Sequence, residues 1–171
     1  MAKFRDISQL TRHPADGTFV SLNYLETKIK DDIRDYGLEL NPDFQRGNVW
    51  TEKQQIAFVE YILRGGQSGR DVYFNNPGWH TGNQGDYVCV DGLQRITALL
   101  RFVRNETKAF GNLYSEYEDP RILSMRYGIL WHVNQLQTKK EVLVWYIEMN
   151  DGGTIHTEKE LNRVRKMIEN E

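Results

Sequence analysis

Residues 87–103 read YVCVDGLQRITALLRFV, a short apolar segment that runs straight into a helical pattern. The apolar run before Asp91 predicts a buried strand, and the residues after Gly92 have the spacing of a helix with one face on the core. That face is predicted to carry Leu93, Ile96, Leu100 and Val103. Backbone N–H groups at a helix start have no intrahelical partner, and the helix dipole adds positive potential there. With Arg95 one turn in, the junction is predicted to bind phosphate, and Gln94 and Arg95 are predicted to point away from the core.

Length and charge limit the classes of protein to which the chain can belong. Its 171 residues can bury a core without a disulfide or a structural metal, so one domain is expected. The formal net charge of −2 gives no global basic field, which disfavours constitutive tight binding to DNA. No segment approaches the run of about 18 apolar residues that a membrane span needs, so no membrane association is expected. The single cysteine, Cys89, lies in the predicted buried strand and is expected to be a core residue rather than a nucleophile.

The first part of the chain predicts a strand and a helix. Residues 18–20 have a strand pattern, and residues 24–36 have helical spacing that Gly37 is expected to end. The predicted inward residues of this helix are Leu25, Ile29 and Ile33. We assign residues 1–37 to an N-terminal segment of the same domain and residues 38–171 to its ligand-binding part.

A polar loop and a second helix follow. Residues 41–50 read NPDFQRGNVW, and Pro42 favours an extended backbone in which neither helical nor strand periodicity survives. This segment is predicted to be a loop that holds polar groups. The next helix is predicted to begin at a capping box of Thr51 and Gln54 and to end at Gly65.

The rest of the chain alternates strands with helices, which predicts an α+β fold with a small mixed sheet. Residues 71–74 are predicted to form a hairpin with the strand before Asp91, and residues 127–136 to form a further strand. A helix capped by Thr138 is predicted over residues 139–149. The last helix is predicted to follow a capping box of Thr157 and Glu160, with Leu161, Val164 and Ile168 inward and Arg163, Arg165 and Lys166 in solvent.

Four tryptophans supply large apolar side chains. Trp50, Trp131 and Trp145 are predicted to lie in the core. Trp79 is predicted to stay out of the core, because it lies beside His80 in a loop rich in glycine and asparagine, where the pair would contact a base or a partner.

Three stretches together carry a family resemblance. They are NPDFQRGNVWTEKQ at 41–54, VDGLQRITALLRF at 90–102 and WYIEMNDGGTIHTEKEL at 145–161. In order and spacing they resemble the N-terminal domain of GmrSD-type restriction enzymes, whose hallmark is DGQQR and whose fold is similar to that of the ParB and sulfiredoxin superfamily. The resemblance implies a pocket that binds a nucleoside triphosphate of unspecified base together with Mg²⁺.

The resemblance also implies which residues form that pocket. The nucleotide ligands would be Gln45, Arg46, Gly92, Gln94, Arg95, Asn150, Gly152 and Gly153. Asp91 and Arg95 would take part in slow hydrolysis, and Asp91 would hold the metal, because Mg²⁺ prefers one or two carboxylates together with phosphate oxygens.

Each of these residues also has a structural interpretation. Arg95 is alternatively a salt-bridge partner of Asp91 or Asp43, and Asp91 is alternatively a helix cap. Gln45 and Arg46 alternatively anchor their loop to the following helix. The glycines alternatively serve as plain turn residues.

The leading hypothesis is a stand-alone nucleotide-binding domain linked to restriction or DNA transactions, in the cytoplasm of a bacterial or phage-infected cell. Leu93 replaces the first glutamine of the hallmark and removes a polar group from the pocket wall, so binding is a firmer expectation than turnover. HNH-type nuclease activity is not expected of this chain alone, because its four histidines show no paired metal-ligand spacing. The alternative is a non-catalytic interaction protein that binds DNA or a nuclease or other host defence protein. The oligomeric state stays open between a monomer and a homodimer.

Overall fold

The computed structural model describes residues 10–11, 17–47, 49–82, 85–118, 126–150 and 158–171. Its strands are β1 (Thr18–Ser21), β2 (Asp71–Asn75), β3 (Val88–Asp91) and β4 (Gly128–Asn134). Its helices are α1 (Leu22–Tyr36), α2 (Glu52–Leu63), α3 (Leu93–Val103), α4 (Lys139–Asn150) and α5 (Glu158–Glu169), with a 3₁₀ turn at Tyr114–Glu116. The fold is α+β with a mixed sheet, as predicted. No helix in these ranges is long and apolar enough to cross a membrane.

The four strands form one sheet in the order β1-β4-β2-β3. The β2–β3 pair is antiparallel, which confirms the predicted hairpin, whereas β2 and β4 run parallel. On the far side of β3, Glu39 forms a single parallel bridge with Val88. The loop that follows Glu39 therefore starts beside the outer edge of β3.

Strand β3 is covered on both faces, which explains its continuous apolar sequence. Cys89 belongs to a core cluster with α1, α3 and the facing residues of β2 and β4. Val88 and Val90 point to the opposite face and belong to a second cluster with α4 and α5. Cys89 is fully buried, and burial raises the pKa of its thiol well above the usual value, so its predicted role as a core residue is confirmed.

Three predicted helix caps are confirmed, whereas Thr157, predicted to cap the last helix, lies outside the described residues. The Thr51 hydroxyl accepts from the Gln54 N–H at 3.3 Å, and the Gln54 side chain accepts from the Thr51 N–H at 2.9 Å. Gly37 has φ 68° and donates its N–H to the carbonyls of the last turn of α1. Thr138 and Glu141 make a reciprocal cap at the start of α4.

One of the three residues of α1 predicted to face the core does not do so. Ile33 is 48% exposed, and Asp32 is the buried residue of that turn. The apolar stripe of α1 runs through Leu22, Leu25 and Ile29, and the next position three residues on is 32 rather than 33.

Two side chains compensate the buried carboxylate of Asp32. It binds the Lys28 ammonium and accepts a hydrogen bond from the Tyr87 hydroxyl at 3.1 Å. The Tyr87 oxygen in turn accepts from Trp131 Nε1 at 2.8 Å, and burial raises the pKa of Tyr87. Contrary to prediction, Trp79 is half-buried against this group, with its ring centre 5.5 Å from that of Tyr87.

Replacing Asp32 by Ala is expected to lower the free energy of unfolding by about 3 kcal/mol, because it leaves the Lys28 charge and the Tyr87 hydroxyl without their buried acceptor. Urea denaturation measures the change. Asp35→Ala is the matched control, since Asp35 lies on the exposed face of the same helix, and it should change stability little. Equal effects of the two substitutions would contradict a structural role for the buried carboxylate.

Candidate functional site

A cavity of about 270 Å³ opens where the loop before α2, the β3–α3 turn and the end of α4 meet. It brings together seven of the predicted site residues, namely Gln45, Arg46, Asp91, Gly92, Gln94, Arg95 and Asn150. Gly152 and Gly153 lie outside the described residues. Trp50, Tyr146 and Met149 also line the cavity and were not among the predicted ligands. The roles of all these residues in binding stay predictions.

Gly92 makes the tight turn between β3 and α3. Its φ is 118°, a value that side chains rarely allow, and a Cβ placed on it would lie 2.5 Å from Val72 Cγ1. The turn therefore requires glycine both for its backbone and for close packing on β2. The first intrahelical hydrogen bond of α3 is donated by Ile96 to the Gly92 carbonyl. The amides of residues 93–95 thus form the first turn of the helix, which has no intrahelical acceptors to offer them.

Asp91 and Arg95 form an ion pair at the mouth of this turn. This contact confirms one of the alternatives for Arg95, whereas Asp43 pairs instead with Lys139 at 3.1 Å. The N-cap position belongs to Gly92, and the Asp91 carboxylate contacts the guanidinium. Arg95 Nε is buried and has no hydrogen-bond partner within the described residues. The guanidinium therefore contacts Asp91 through Nη2, while its Nε is shielded from solvent.

The Gln94 side chain holds the polar loop by hydrogen bonds to its backbone. Its Oε1 accepts from the backbone N–H groups of Val49 and Trp50 at 2.9 and 3.0 Å. Its Nε2 donates to the Gly47 carbonyl. The side chain points away from the core, as predicted, but it is used to hold the loop that forms the cavity wall.

Gln45, nearer the start of the same loop, hydrogen-bonds to the backbone of β3. Its Nε2 donates to the carbonyls of Val90 at 2.8 Å and Cys89 at 3.2 Å. Gln45 thus anchors the loop to β3, and not to α2 as its structural alternative supposes. At the other end of the loop, Gln55 of α2 donates to the Trp50 carbonyl at 3.2 Å. Because a backbone carbonyl at a sheet edge needs a donor, Gln45 substitutes for a missing neighbouring strand.

Arg46 is the second cation of the cavity. Its side chain is 18% exposed, and its Nη1 lies 3.9 Å from Glu160 Oε2 on α5. With Arg95 and Asp91 it gives the cavity lining one more positive than negative charge. Glu160 offsets part of this positive charge, so an anionic ligand would have to compete with a carboxylate at each guanidinium.

The remaining wall is aromatic. Trp50 is half-buried and packs edge-on against Phe58 with ring centres 5.4 Å apart. Tyr146 packs against Phe44 at 5.2 Å, and burial raises the pKa of its hydroxyl. Asn150, one turn further along α4, donates to the Tyr146 carbonyl at 2.7 Å. Flat aromatic surface next to two guanidinium groups suits a ligand with both a ring and an anionic end.

The cavity offers few acidic side chains as ligands for a metal ion. Within the described ranges, no group of three or more His, Cys, Asp or Glu side chains is placed to hold an ion. Among the residues that the structure describes, Asp91 is the one carboxylate that lines the cavity. This donor set fits Mg²⁺ when phosphate oxygens supply further ligands, and does not fit a metal held by protein alone.

Comparison with known families identifies the family of the chain. A family described as the GmrSD restriction endonuclease N-terminal domain matches residues 25–129, which is more than half of the chain. The matched region contains the polar loop, β3 and α3, and it ends before α4 and α5. Searches of curated proteins and of solved structures found no match.

Gly92→Ala is expected to lower the free energy of unfolding by about 2–5 kcal/mol, because it adds backbone strain to a clash with Val72. Thermal or urea unfolding measures the loss. Gly111→Ala provides the control: Gly111 also has positive φ, 80°, but its Cβ would meet nothing within 4 Å. Its cost should be only the strain of about 1 kcal/mol. Equal losses in the two variants would mean that Val72 does not restrict position 92.

Proposed function

The chain belongs to the GmrSD restriction endonuclease N-terminal domain family, which indicates a restriction-related function, and from this membership and the cavity we propose that it binds a nucleoside triphosphate with Mg²⁺. The observation that carries the proposal is the convergence of Arg46, Arg95 and the first turn of α3 on one cavity with an aromatic wall. A polyphosphate and a base need these two kinds of surface side by side.

The phosphates are assigned to the β3–α3 turn. A helix start attracts anions through its free amides and its dipole, and α3 presents its first turn at the cavity. Arg95 adds a cation beside this turn, and Arg46 adds a second cation from the loop. Bidentate contacts of arginine with phosphate oxygens are stronger than neutral hydrogen bonds.

The base is assigned to the side of the cavity formed by Trp50 and α4. Trp50 supplies a flat apolar surface, and base–aromatic stacking tolerates any of the four bases. Tyr146, Met149 and Asn150 lie on one face of α4 at spacings of three and four residues and complete this side. Selectivity between bases would depend on these three side chains.

Mg²⁺ would be held by Asp91 together with the phosphates of the nucleotide. When bound, the ion would neutralise phosphate charge and favour attack by water on the terminal phosphate. Asp91 would be free for this task once Arg95 turns from the carboxylate to a phosphate oxygen. Leu93 places an apolar side chain beside these groups, so we propose binding as the main function and hydrolysis as a slow one.

Binding would serve a restriction system through a partner. We propose that a nuclease or other defence protein responds to the nucleotide-bound state of the cavity. The loop of residues 43–50 is a candidate element for that response, because it contributes Gln45, Arg46 and Trp50 to the cavity and Val49, which is 47% exposed, to the surface.

Titration calorimetry with ATP, GTP, CTP and UTP in the presence of Mg²⁺ tests the proposal. At least one nucleotide is expected to bind, and Arg95→Ala should weaken that binding by about tenfold or more, because charged hydrogen bonds to phosphate are lost. Arg104→Ala is the matched control, since Arg104 ends the same helix but pairs with Glu26 away from the cavity, and it should leave the affinity unchanged.

Two results would contradict the proposal. One is failure of all four nucleotides to bind the folded wild-type protein. The other is equal binding by wild type and Arg95→Ala. Either result would direct attention to the alternative, a domain that binds DNA or a defence protein without a nucleotide.

A further inference from the structure

Helix α5 contacts the backbone of the polar loop directly, beside the residue that carries the second pocket cation. We infer that Arg163 is a positioning residue for the nucleotide site: it fixes the backbone at Phe44 and Gln45 so that Arg46 is presented to the cavity. The inference rests on the proposed function and extends it to a helix that the family match does not include.

The contact consists of two hydrogen bonds from one nitrogen. Arg163 Nη2 donates to the Phe44 carbonyl at 3.0 Å and to the Gln45 carbonyl at 3.1 Å. Arg163 is exposed, as predicted, but its guanidinium also contacts the loop, which the sequence did not indicate. Hydrogen bonds from a charged donor are stronger than those between neutral groups, and two consecutive carbonyls fix the direction of the chain.

Other contacts make the same segment rigid. The Phe44 ring packs on Tyr146, and the Gln45 amide is bound to β3. Asp43, just before them, pairs with Lys139 of α4. The next residue is Arg46, so its side chain starts from a backbone position that α4, α5 and β3 hold together. A ligand that binds a preorganised side chain does not have to order it first.

Glu160 acts on the same cation in the opposite sense. It lies three residues before Arg163 in α5, and its carboxylate faces Arg46 at 3.9 Å. In the protein without ligand it offsets part of the Arg46 charge, so a phosphate has to compete with it. Helix α5 thus contributes one residue that favours anion binding and one that opposes it.

The test measures both residues against a matched control. Arg163→Met is expected to weaken the best-bound Mg²⁺–nucleotide about five- to tenfold, and Arg163→Lys, which keeps a charged donor, should recover part of the loss. Glu160→Gln is expected to strengthen binding a few-fold. Arg165→Met is the control, because Arg165 bonds Asn162 of its own helix, and it should change affinity less than twofold.

Proteolysis of the protein without ligand measures the loop conformation independently of nucleotide binding. Trypsin cleaves after arginine, so cleavage after Arg46 should become faster in Arg163→Met than in wild type or Arg165→Met. A general loss of stability in Arg163→Met would also speed cleavage after Arg104 at the end of α3, whereas loss of the loop contact alone would not.

The outcomes distinguish the two claims. If wild type binds nucleotide and Arg163→Met binds it equally well, or if cleavage after Arg46 is unchanged, the positioning role is overturned and the proposed function stands. If wild type binds no nucleotide, the proposed function fails and the role of Arg163 fails with it. Opposite shifts in Arg163→Met and Glu160→Gln, with faster cleavage in the former, would support the inference.

Discussion

The close contact of Gly92 with Val72 is the constraint on which the fold and the cavity both depend. Because Gly92 has no Cβ, the backbone can turn at φ 118° against β2, and this single residue is enough to separate the end of β3 from the start of α3. A longer connection would carry the first turn of α3 away from the end of β3. The same turn therefore seats the apolar face of α3 on the core and places its amides, Asp91 and Arg95 at the cavity.

Two glutamines connect this turn to the loop that closes the cavity. Gln94 satisfies three backbone groups of residues 47–50, and Gln45 satisfies two carbonyls at the end of β3. A loop lacks the regular backbone hydrogen bonds of a helix or sheet, so its N–H and C=O groups need side-chain partners wherever water is excluded. Amide side chains can donate and accept at once, which makes glutamine suited to both places. The pocket wall is thus as dependent on these two side chains as on the residues that would touch a ligand.

Local signals in the sequence predicted much of this architecture, because they depend on neighbours in the chain. The capping box at Thr51, the cap at Gly37 and the continuous apolar run that forms β3 are of this kind. Contacts between distant segments were not predictable in the same way. Neither the carbonyls that Gln45 reaches nor the contact of Arg163 with the loop leaves a periodic trace. Trp79 shows the same limit, since a loop rich in glycine gave no sign that its ring packs against Tyr87.

The charges of the cavity follow a common pattern. Arg95 faces Asp91 and Arg46 faces Glu160, so each guanidinium already has a carboxylate nearby. A small anion would gain little there, because it would replace one negative partner by another. A magnesium–polyphosphate offers more: the ion can take the Asp91 carboxylate while phosphate oxygens take Arg95, and the remaining negative charge can compete for Arg46. Under the proposed function, this exchange of partners would favour a metal-bound triphosphate over free phosphate without requiring a strongly basic surface.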